Sequence, residues 1–312
     1  MTMTNNKKVI PIFYAADDNY LPYLAVSLSS MKDNASKEYF YEIYVLNAGM
    51  AKETLERLKA YEDENFRITS VDVTSKMEKV KDSLQLRDYY TGATYYRIFI
   101  ANMFPEYTKA LYIDSDTVVL GDISELFNTE LGDNLIGAAS DGAVASVPEF
   151  RLYTKEVLGI EAEKYFNAGV ILMNLMQFRK ENFYEKFCAL LKQYRFSVAQ
   201  DQDYLNVICK DKVQYIGIEW NRMPIGGDKE EKPKLVHYNL TLKPWHYEKI
   251  LFQEYFWEYA RKNEFYERIR TELLEYTQEK RDADAACEKA LIALAVSEAN
   301  RADNYYKKFV GA

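Results

Sequence analysis

The chain has 312 residues, of which 48% are apolar and 28% charged, so it is long enough to bury a sizeable core. That length predicts one large α/β domain, alone or with an appendage. The net charge is −8 and no basic block occurs, which argues against a nucleic-acid-binding surface. No stretch approaches the roughly 18–20 consecutive apolar residues that a membrane span requires.

The cysteines and the chain ends bear on location. The first eight residues lead into a strand-like run without the apolar region of a signal peptide. Cys188, Cys209 and Cys287 are far apart and lack metal-ligand spacing, which is typical of reduced thiols. We therefore expect a cytoplasmic protein. Residues 305–309 mix basic and aromatic side chains, so they allow at most peripheral contact with the inner face of a membrane, although a frayed, solvated helix end is favoured.

The N-terminal part of the chain alternates strands with helices. Strand-like runs at 9–16, 39–46 and 66–73 are separated by two amphipathic helical patterns, which predicts a mainly parallel sheet with helices on both faces. Ligands bind at the carboxyl ends of such strands, where residues 17–19 would lie. Neither Gly-x-Gly-x-x-Gly after the first strand nor a phosphate-binding Gly-x-x-x-x-Gly-Lys loop occurs, which disfavours dinucleotide oxidoreductases and P-loop enzymes.

The middle of the chain supplies polar residues in apolar surroundings. Residues 74–94 are polar and irregular, which predicts a functional lid or a disordered segment. A helical pattern at 95–104 carries Arg97 as its only charge. A strand-like run at 135–141 ends in Asp141, and another at 165–174 embeds Asn167. On these patterns alone, Arg97 could equally be a surface arginine whose stem packs on apolar side chains, and a satisfied core amide is favoured for Asn167.

The second half is richer in helical patterns. The polar group at 200–203 is expected to cap a short helix that runs to residue 208. A last strand at 234–238 carries His237, one of only two histidines. From 245 to 310 there is no Gly or Pro, which predicts a helical appendage with a break near 279–284.

Residues 111–120 place Asp114 and Asp116 between two apolar, β-prone runs. In an extended strand, residues two apart point to the same face, so the two carboxylates can converge. Buried carboxylates repel each other and are costly to desolvate unless a cation lies between them. Mg²⁺ or Mn²⁺ suits such oxygen ligands and usually brings phosphate oxygens with it. For a bare Asp-x-Asp, however, a strand followed by a tight acidic turn is the favoured explanation, so the rest of the chain has to decide.

Two further interpretations use the same residues. A phosphatase like the haloacid dehalogenases also has Asp-x-Asp after an apolar strand, which Asp114 and Asp116 fit loosely. Those enzymes carry the motif near the N-terminus, whereas here about a hundred residues precede it. A sugar-nucleotide-binding protein without turnover is the non-enzyme alternative.

Six motifs in order resemble glycosyltransferase family eight, the retaining group that includes bacterial lipopolysaccharide galactosyl- and glucosyltransferases and glycogenin. They lie at 14–20, 96–97, 114–116, 166–169, 200–203 and 237–245, within a resemblance from about residue 8 to 250. The resemblance implies the GT-A fold, a Rossmann-like mixed sheet flanked by helices. It assigns residues 1–250 to the nucleotide-sugar transferase domain and 251–312 to a helical C-terminal appendage.

The resemblance also implies a ligand set. Asp114, Asp116 and His237 would bind Mn²⁺ or Mg²⁺, and the imidazole favours Mn²⁺. The metal would hold the diphosphate of a UDP-sugar, with Lys243 as a phosphate contact and Tyr20 stacked on uracil. The donor-binding residues expected from the family are Ala15, Asp17, Asn19, Tyr20, Arg97, Asp114, Ser115, Asp116, Asp141, Asn167 and Lys243.

Gln202 and Asp201 are the catalytic residues that the resemblance implies. Gln202 matches the family's amide beneath the anomeric carbon, and because an amide is a poor nucleophile, we favour front-side attack through an oxocarbenium-like state. The expected function is metal-dependent, retaining transfer of glucose or galactose from a UDP-sugar to a glycan or glycolipid acceptor in cell-surface polysaccharide synthesis. One residue departs from the family pattern: Leu240 stands where a glycine often follows the histidine.

Overall fold

The computed structural model of the protein describes residues 7–78, 92–226 and 232–311. Its strands are β1 Lys8–Ala15, β2 Tyr39–Asn47, β3 Phe66–Asp72, β4 Ala110–Ile113, β5 Thr117–Val119, β6 Ile136–Ser140, β7 Phe166–Met173, β8 Val213–Tyr215 and β9 Leu235–His237. Its α-helices are α1 Leu21–Asn34, α2 Lys52–Leu58, α3 Thr74–Met77, α4 Ile100–Met103, α5 Ile123–Phe127, α6 Gly142–Ser146, α7 Pro148–Tyr153, α8 Leu175–Lys180, α9 Phe183–Gln193, α10 Asp201–Ile208, α11 Gln253–Ala260, α12 Tyr266–Leu274, α13 Gln278–Asn300 and α14 Tyr305–Phe309. A 3₁₀ helix, Gly92–Phe99, precedes α4 and carries Arg97.

Seven strands form one mixed sheet in the order β3-β2-β1-β4-β7-β6-β8. β1 pairs in parallel with β2 and β4, and β6 pairs in parallel with β8, whereas β7 runs antiparallel to both of its neighbours. The reversal of β7 brings the start of this strand to the edge where β4 and β6 end. Asn167, the second residue of β7, therefore lies at the same edge as Asp114 and Asp141, and the predicted mixed sheet is confirmed.

The continuous strand predicted at 111–120 is wrong. β4 ends at Ile113, and β5 begins at Thr117 in a separate two-stranded sheet with β9. Asp114-Ser115-Asp116 is the bend between the two sheets, so the carboxylates converge through a change of chain direction rather than through strand alternation. The pairing of Thr117 with His237 brings the histidine next to this bend.

The C-terminal region is helical, as predicted, but its details differ from the expectation. The break lies between α12 and α13, at residues 275–277 rather than 279–284, and α13 is then continuous from Gln278 to Asn300. Phe256 and Ile269 pack in one part of the core, on the side of α1, and Ala295 packs in the other. The helices thus contact both faces of the sheet.

The last helix is not a frayed end. Tyr305 of α14 packs edge-on against Tyr194 and Phe196, and Phe309 packs against Tyr194. Two of its aromatic residues are therefore engaged within the protein. Among the described residues, no helix combines the length and apolar character that crossing a bilayer requires. Most of the lid predicted at 74–94 falls on residues 79–91, which lie outside the described part.

Candidate active site

A cavity of about 410 Å³ opens at the carboxyl ends of β1, β4 and β6, a volume within the usual range of small-molecule sites. All but one of the residues predicted for donor, metal or catalytic roles line it: Ala15, Asp17, Tyr20, Arg97, Asp114, Ser115, Asp116, Asp141, Asn167, Asp201, Gln202, His237 and Lys243. The exception is Asn19, which is exposed and does not line the cavity. Its backbone N–H donates to Asp17 Oδ1 at 2.9 Å in the turn after β1.

Three side chains converge on one point of the cavity wall. His237 Nε2 lies 3.4 Å from Asp116 Oδ1 and 3.6 Å from Asp114 Oδ2. Within the described residues this is the single cluster of three such side chains whose ligand atoms all lie within 4.8 Å of one another. Two carboxylate oxygens and one imidazole nitrogen form a donor set that suits Mn²⁺.

The other oxygen of each carboxylate is held by a cation. Asp114 Oδ1 accepts from Tyr112 Oη at 2.8 Å and from Arg97 Nη2 at 3.2 Å. Asp116 Oδ2 accepts from the ammonium of Lys243, which also donates to a backbone carbonyl. Burial opposes ionisation of Asp116, but Lys243 outweighs it and holds the pKa of this carboxyl well below its usual range. Both carboxylates are thereby oriented, each with one oxygen directed towards the histidine.

A chain of buried amides sets the tautomer of His237. The backbone N–H of Gly169 donates to Asn167 Oδ1 at 2.9 Å, so the Asn167 amide nitrogen must point the other way, towards Asp141 Oδ2 at 3.0 Å. Asn221 Nδ2 donates to the same Asn167 oxygen at 3.0 Å, which leaves Asn221 Oδ1 facing His237 Nδ1 at 3.0 Å. Since that oxygen only accepts, Nδ1 donates to it, and a neutral His237 presents the lone pair of Nε2 to the carboxylates.

A second amide, that of Gln202, is fixed in the same way. Its Oε1 accepts from the backbone N–H of Ala168 at 2.9 Å, and its Nε2 donates to Asp141 Oδ2 at 3.0 Å and to Tyr165 Oη at 3.2 Å. Tyr165 in turn donates to Asp203 Oδ1 at 2.8 Å. The orientation of the Gln202 amide is therefore fixed by the backbone N–H of Ala168. Asp141 Oδ2 accepts from both Gln202 and Asn167, and so connects Gln202 to the hydrogen bonds that lead to His237.

The expectation that 200–203 caps a helix through its side chains is only partly right. α10 begins at Asp201, and the residue before it, Gln200, makes no capping hydrogen bond with its side chain and has φ +46°. Asp203 Oδ2 instead accepts from the backbone N–H of Ala199 at 2.9 Å. The strained backbone and the buried carboxylates are common at functional sites.

Both carboxylates of this segment are buried and hold their protons unusually well. Burial raises the pKa of Asp201 to about 7, against the opposing charge of Arg97, whose Nε lies 3.2 Å from Asp201 Oδ2. Burial likewise raises the pKa of Asp203 to about 6, although Ala199, Tyr165 and Tyr153 donate to it. Asp201 is thus placed as the counter-ion of the buried Arg97 guanidinium. Protonation of Asp201 near neutral pH removes this compensating negative charge.

The roles of four residues that contribute to the site are not predicted by the sequence. Tyr112 lies on β4, two residues before Asp114 in the bend that follows, and its hydroxyl donates to the Asp114 carboxylate. Gly169 lies in a motif that was recognised, but its own role was not; a Cβ there would overlap His237 and come within 2.7 Å of Asp114 Oδ2. Asp203 lies in the 200–203 motif, but its bonds to Tyr153 and Tyr165 are not predicted by that motif. Asn221 lies in no motif, because its contacts with Asn167 and His237 join residues far apart in the chain.

Leu240, the departure from the family pattern, lines the cavity with φ +51°. This left-handed conformation favours glycine and costs a residue with a side chain about 1–2 kcal/mol. The loop between His237 and Lys243 therefore has a backbone conformation that suits glycine at position 240. Leu240 adopts it at an energetic cost and adds its side chain to the cavity lining.

Several bacterial glycosyltransferases are similar to this chain over most of its length. The lipopolysaccharide 1,3-galactosyltransferase of Salmonella typhimurium is 28% identical over 254 residues, which cover 75% of this chain and 72% of the relative. The lipopolysaccharide 1,2-glucosyltransferase of Escherichia coli is 27% identical over 267 residues, covering 78% and 74%. The crystal structure of the galactosyltransferase LgtC with donor and acceptor sugar analogues superposes with a TM-score of 0.70 at 27% identity, covering 83% of this chain and all of LgtC.

These likenesses agree with the mixed sheet and confirm the predicted GT-A architecture. The family profile described as glycosyl transferase family 8 matches residues 11–249, well over half of the sequence. That match also argues against the haloacid-dehalogenase alternative. The chain is a member of glycosyl transferase family 8.

Proposed function

We propose that this glycosyltransferase is metal-dependent and retaining, and that it transfers glucose or galactose from a UDP-sugar to a glycan or glycolipid acceptor in cell-surface polysaccharide synthesis. The observation that carries the proposal is the convergence of Asp114, Asp116 and His237 in a cavity that also contains Lys243 and Gln202. A cytoplasmic location belongs to the proposal, and the three free thiols suit it.

The proposed metal site rests on the donor set and its supports. Asp114, Asp116 and His237 would hold Mn²⁺, with Mg²⁺ as the alternative, through the two carboxylate oxygens and Nε2 that face one another. When bound, the ion would supply Lewis-acid stabilisation of the diphosphate. The hydrogen bond from His237 to Asn221 keeps the coordinating tautomer in place.

The nucleotide end of the donor is assigned to the turn after β1 and to the bend after β4. Tyr20 lines the cavity and is available to stack on the base, and Asp17 lies beside it in the turn. Ser115 donates to the backbone carbonyl of Ala15 at 2.8 Å, which fixes the bend against β1. Lys243 is buried next to Asp116 and carries the positive charge for the phosphates.

The sugar end is assigned to the hydrogen-bonded group around Asp141. Asn167 and Gln202 both donate to Asp141 Oδ2 at 3.0 Å, and all three side chains line the cavity. Arg97 and Asp201 complete the group as an ion pair at 3.2 Å. The carboxylate of Asp141 and the amide dipoles around it suit a transition state in which positive charge develops at the anomeric carbon.

The reaction that follows is a same-face exchange at the anomeric carbon. The bond from this carbon to the UDP oxygen breaks, a bond to the acceptor hydroxyl oxygen forms, and the hydroxyl proton passes to a phosphate oxygen of the departing UDP. Gln202 supports the positive charge rather than attacking, because both ends of its amide are held by hydrogen bonds. An amide is also a weak nucleophile compared with the carboxylate of a retaining glycosidase.

The test is release of UDP from UDP-glucose and UDP-galactose, with Mn²⁺ compared with EDTA. Both donors belong in the test because the chain is similar to a galactosyltransferase and to a glucosyltransferase to nearly the same extent. We expect Mn²⁺-dependent UDP release, by slow hydrolysis even without an acceptor. UDP binding without any release would favour the non-catalytic alternative, and neither binding nor release would refute the proposal.

Asp116→Ala gives a sharper test of the metal assignment. Because one of three converging ligands is removed, we expect Mn²⁺-dependent UDP affinity, measured by calorimetry, to fall on the order of a hundredfold. Asp33→Ala is the matched control, since Asp33 is exposed on α1 and does not line the cavity. Equal affinities of the two variants would contradict the assignment.

A further inference from the structure

Part of the cavity lining is apolar. Five apolar side chains from five separate segments contribute to it, and we call them the apolar wall: Val144, Phe150, Val198, Leu240 and Leu291. Val198 is buried, and the other four are only partly buried although they are fully apolar. The cavity lining therefore includes an apolar set in addition to the polar and charged residues assigned to the donor.

Two members of the apolar wall, Val144 and Val198, are connected to the proposed sugar end. Val144 lies on α6, and its backbone N–H donates to Asp141 Oδ1 at 3.0 Å. Val198 lies just before Ala199, whose N–H is bonded to Asp203 in the segment that carries Gln202. Two members of the wall are therefore tied by hydrogen bonds, directly or through one neighbour, to the residues around the anomeric carbon.

The C-terminal helices contribute the outermost member. Leu291 lies on α13, which packs along α7, the helix that carries Phe150. Both side chains pack beside the buried core and also line the cavity. The wall is thus completed by a helix that the family match, ending at residue 249, does not include.

Leu240 is kept in the wall at an energetic cost. Its left-handed φ of +51° would suit glycine or asparagine better than leucine. Strain of this kind persists mainly where it serves a function. A side chain that adds apolar surface to a cavity from a strained backbone position points to a ligand with apolar surface of its own.

A charged UDP-sugar does not match this surface, because polar groups that cover apolar side chains contribute little to binding. A ligand with apolar surface gains affinity in proportion to the apolar area that it buries. Building on the proposed function, we propose that the acceptor carries an apolar group directly next to its reacting sugar, and that this group is seated on the apolar wall. The lipid of a glycolipid and an aromatic aglycone share this chemistry.

The test compares acceptors that differ only in the aglycone. UDP-glucose and UDP-galactose are each supplied with methyl, octyl and 4-nitrophenyl glycosides of glucose, galactose and N-acetylglucosamine. We expect kcat/KM for the octyl or nitrophenyl glycoside of the accepted sugar to exceed that of the methyl glycoside about tenfold or more, mainly through KM. A preference confined to octyl indicates a lipid, and one confined to nitrophenyl indicates an aromatic group.

Leu291→Asn should lower this ratio of apolar to methyl glycoside by about threefold, because one of the five apolar side chains becomes polar. The ratio is insensitive to a general loss of active protein, so partial unfolding cannot imitate the result. Leu274→Asn is the matched control, because Leu274 is 69% exposed on α12 and lies outside the cavity lining. It should keep the full ratio.

Equal kcat/KM for methyl and apolar glycosides, or transfer to none of the apolar glycosides, overturns the proposal. So does an unchanged ratio in Leu291→Asn. Failure of the proposed function is separate and visible in the same assays, since it removes Mn²⁺-dependent UDP release even when no acceptor is present.

Discussion

Among single residues, Gly169 leaves no room for a side chain beside the proposed metal site. It lies on β7 between Asp114 and His237, and a Cβ there would overlap the imidazole and come within 2.7 Å of Asp114 Oδ2. The absence of a side chain is therefore what allows the histidine to approach the carboxylate.

We expect Gly169→Ala to weaken Mn²⁺-dependent UDP binding by about tenfold or more, because the new methyl group displaces a metal ligand. Isothermal calorimetry measures the affinity, and circular dichroism checks that the protein is folded. In Gly226→Ala, the matched control, the added methyl group meets nothing within 4 Å. Should the two variants bind UDP equally well, the packing of Gly169 is not essential to the site.

Asp203 provides a test by pH. Its folded-state pKa is raised by burial to about 6, above the unfolded value of about 3.9. The native state therefore retains this proton longer than the unfolded state does, and the resulting stability is fully present below pH ~4 and lost as the pH rises through about 6.

We expect Asp203→Asn to remove this part of the pH dependence. Between pH ~4 and ~6, the free energy of unfolding of the wild type should fall more steeply than that of the variant, by up to about 1.4 kcal/mol per pH unit. Urea unfolding across this range measures the difference between the two slopes, in which the contributions of groups that do not interact with Asp203 cancel. Parallel slopes would mean that Asp203 is ionised in the folded protein throughout.

At the scale of elements, the site depends on two departures from a regular parallel sheet. The reversed β7 brings Asn167 to the edge where the parallel strands end, and the bend after β4 sends β5 into a second sheet with β9. Asn221 connects these two elements, because it donates to Asn167 on β7 and accepts from His237 on β9.

Asn221→Ala should therefore lower Mn²⁺-dependent UDP affinity by about 10–100-fold without contacting the ligand itself. The matched control is Asn174→Ala, which removes another buried amide, one that caps α8 away from the cavity and donates to two backbone carbonyls. Both variants should lose stability, measured as a lower Tm, but only Asn221→Ala should lose affinity. An equal loss of UDP affinity in both variants would show that Asn221 contributes only to the stability of the fold.

At the scale of the whole molecule, the C-terminal helices contact the segment that carries Lys243. Trp245, two residues further on, stacks on Tyr23 of α1 with ring centroids 3.7 Å apart. His246 Nε2 lies 3.1 Å from Glu272 Oε1 on α12, and Glu272 also accepts from the Tyr23 hydroxyl. Lys243, the proposed phosphate contact, thus lies next to a segment that packs on both α1 and the C-terminal helices.

Glu272→Ala should loosen this connection and weaken UDP binding by about three- to tenfold, since two hydrogen bonds to a partly buried carboxylate are lost. Calorimetry with Mn²⁺ present gives the affinity. Glu275→Ala, at the exposed end of the same helix, is the control. An unchanged affinity in Glu272→Ala would show that the C-terminal helices only cover the sheet and do not position Lys243.

Elements with strong local patterns could be predicted from the amino-acid sequence. The first three strands were predicted to within two residues, because apolar runs bounded by turn residues are local signals. Asp114, Asp116 and His237 could be named as candidate metal ligands from their residue types and from the family resemblance, and the folded chain brings them together.

The contacts between these elements could not be predicted and are known only from the folded structure. The break between β4 and β5 and the position of the last helix break depend on packing against other elements, which periodicity does not encode. Asn221, Gly169 and the apolar wall, including Leu291, were invisible for the same reason: their roles come from neighbours that are distant in the chain. A carboxylate pair can be read from a sequence, but the groups that orient it and the surface beside it exist only after the chain has folded.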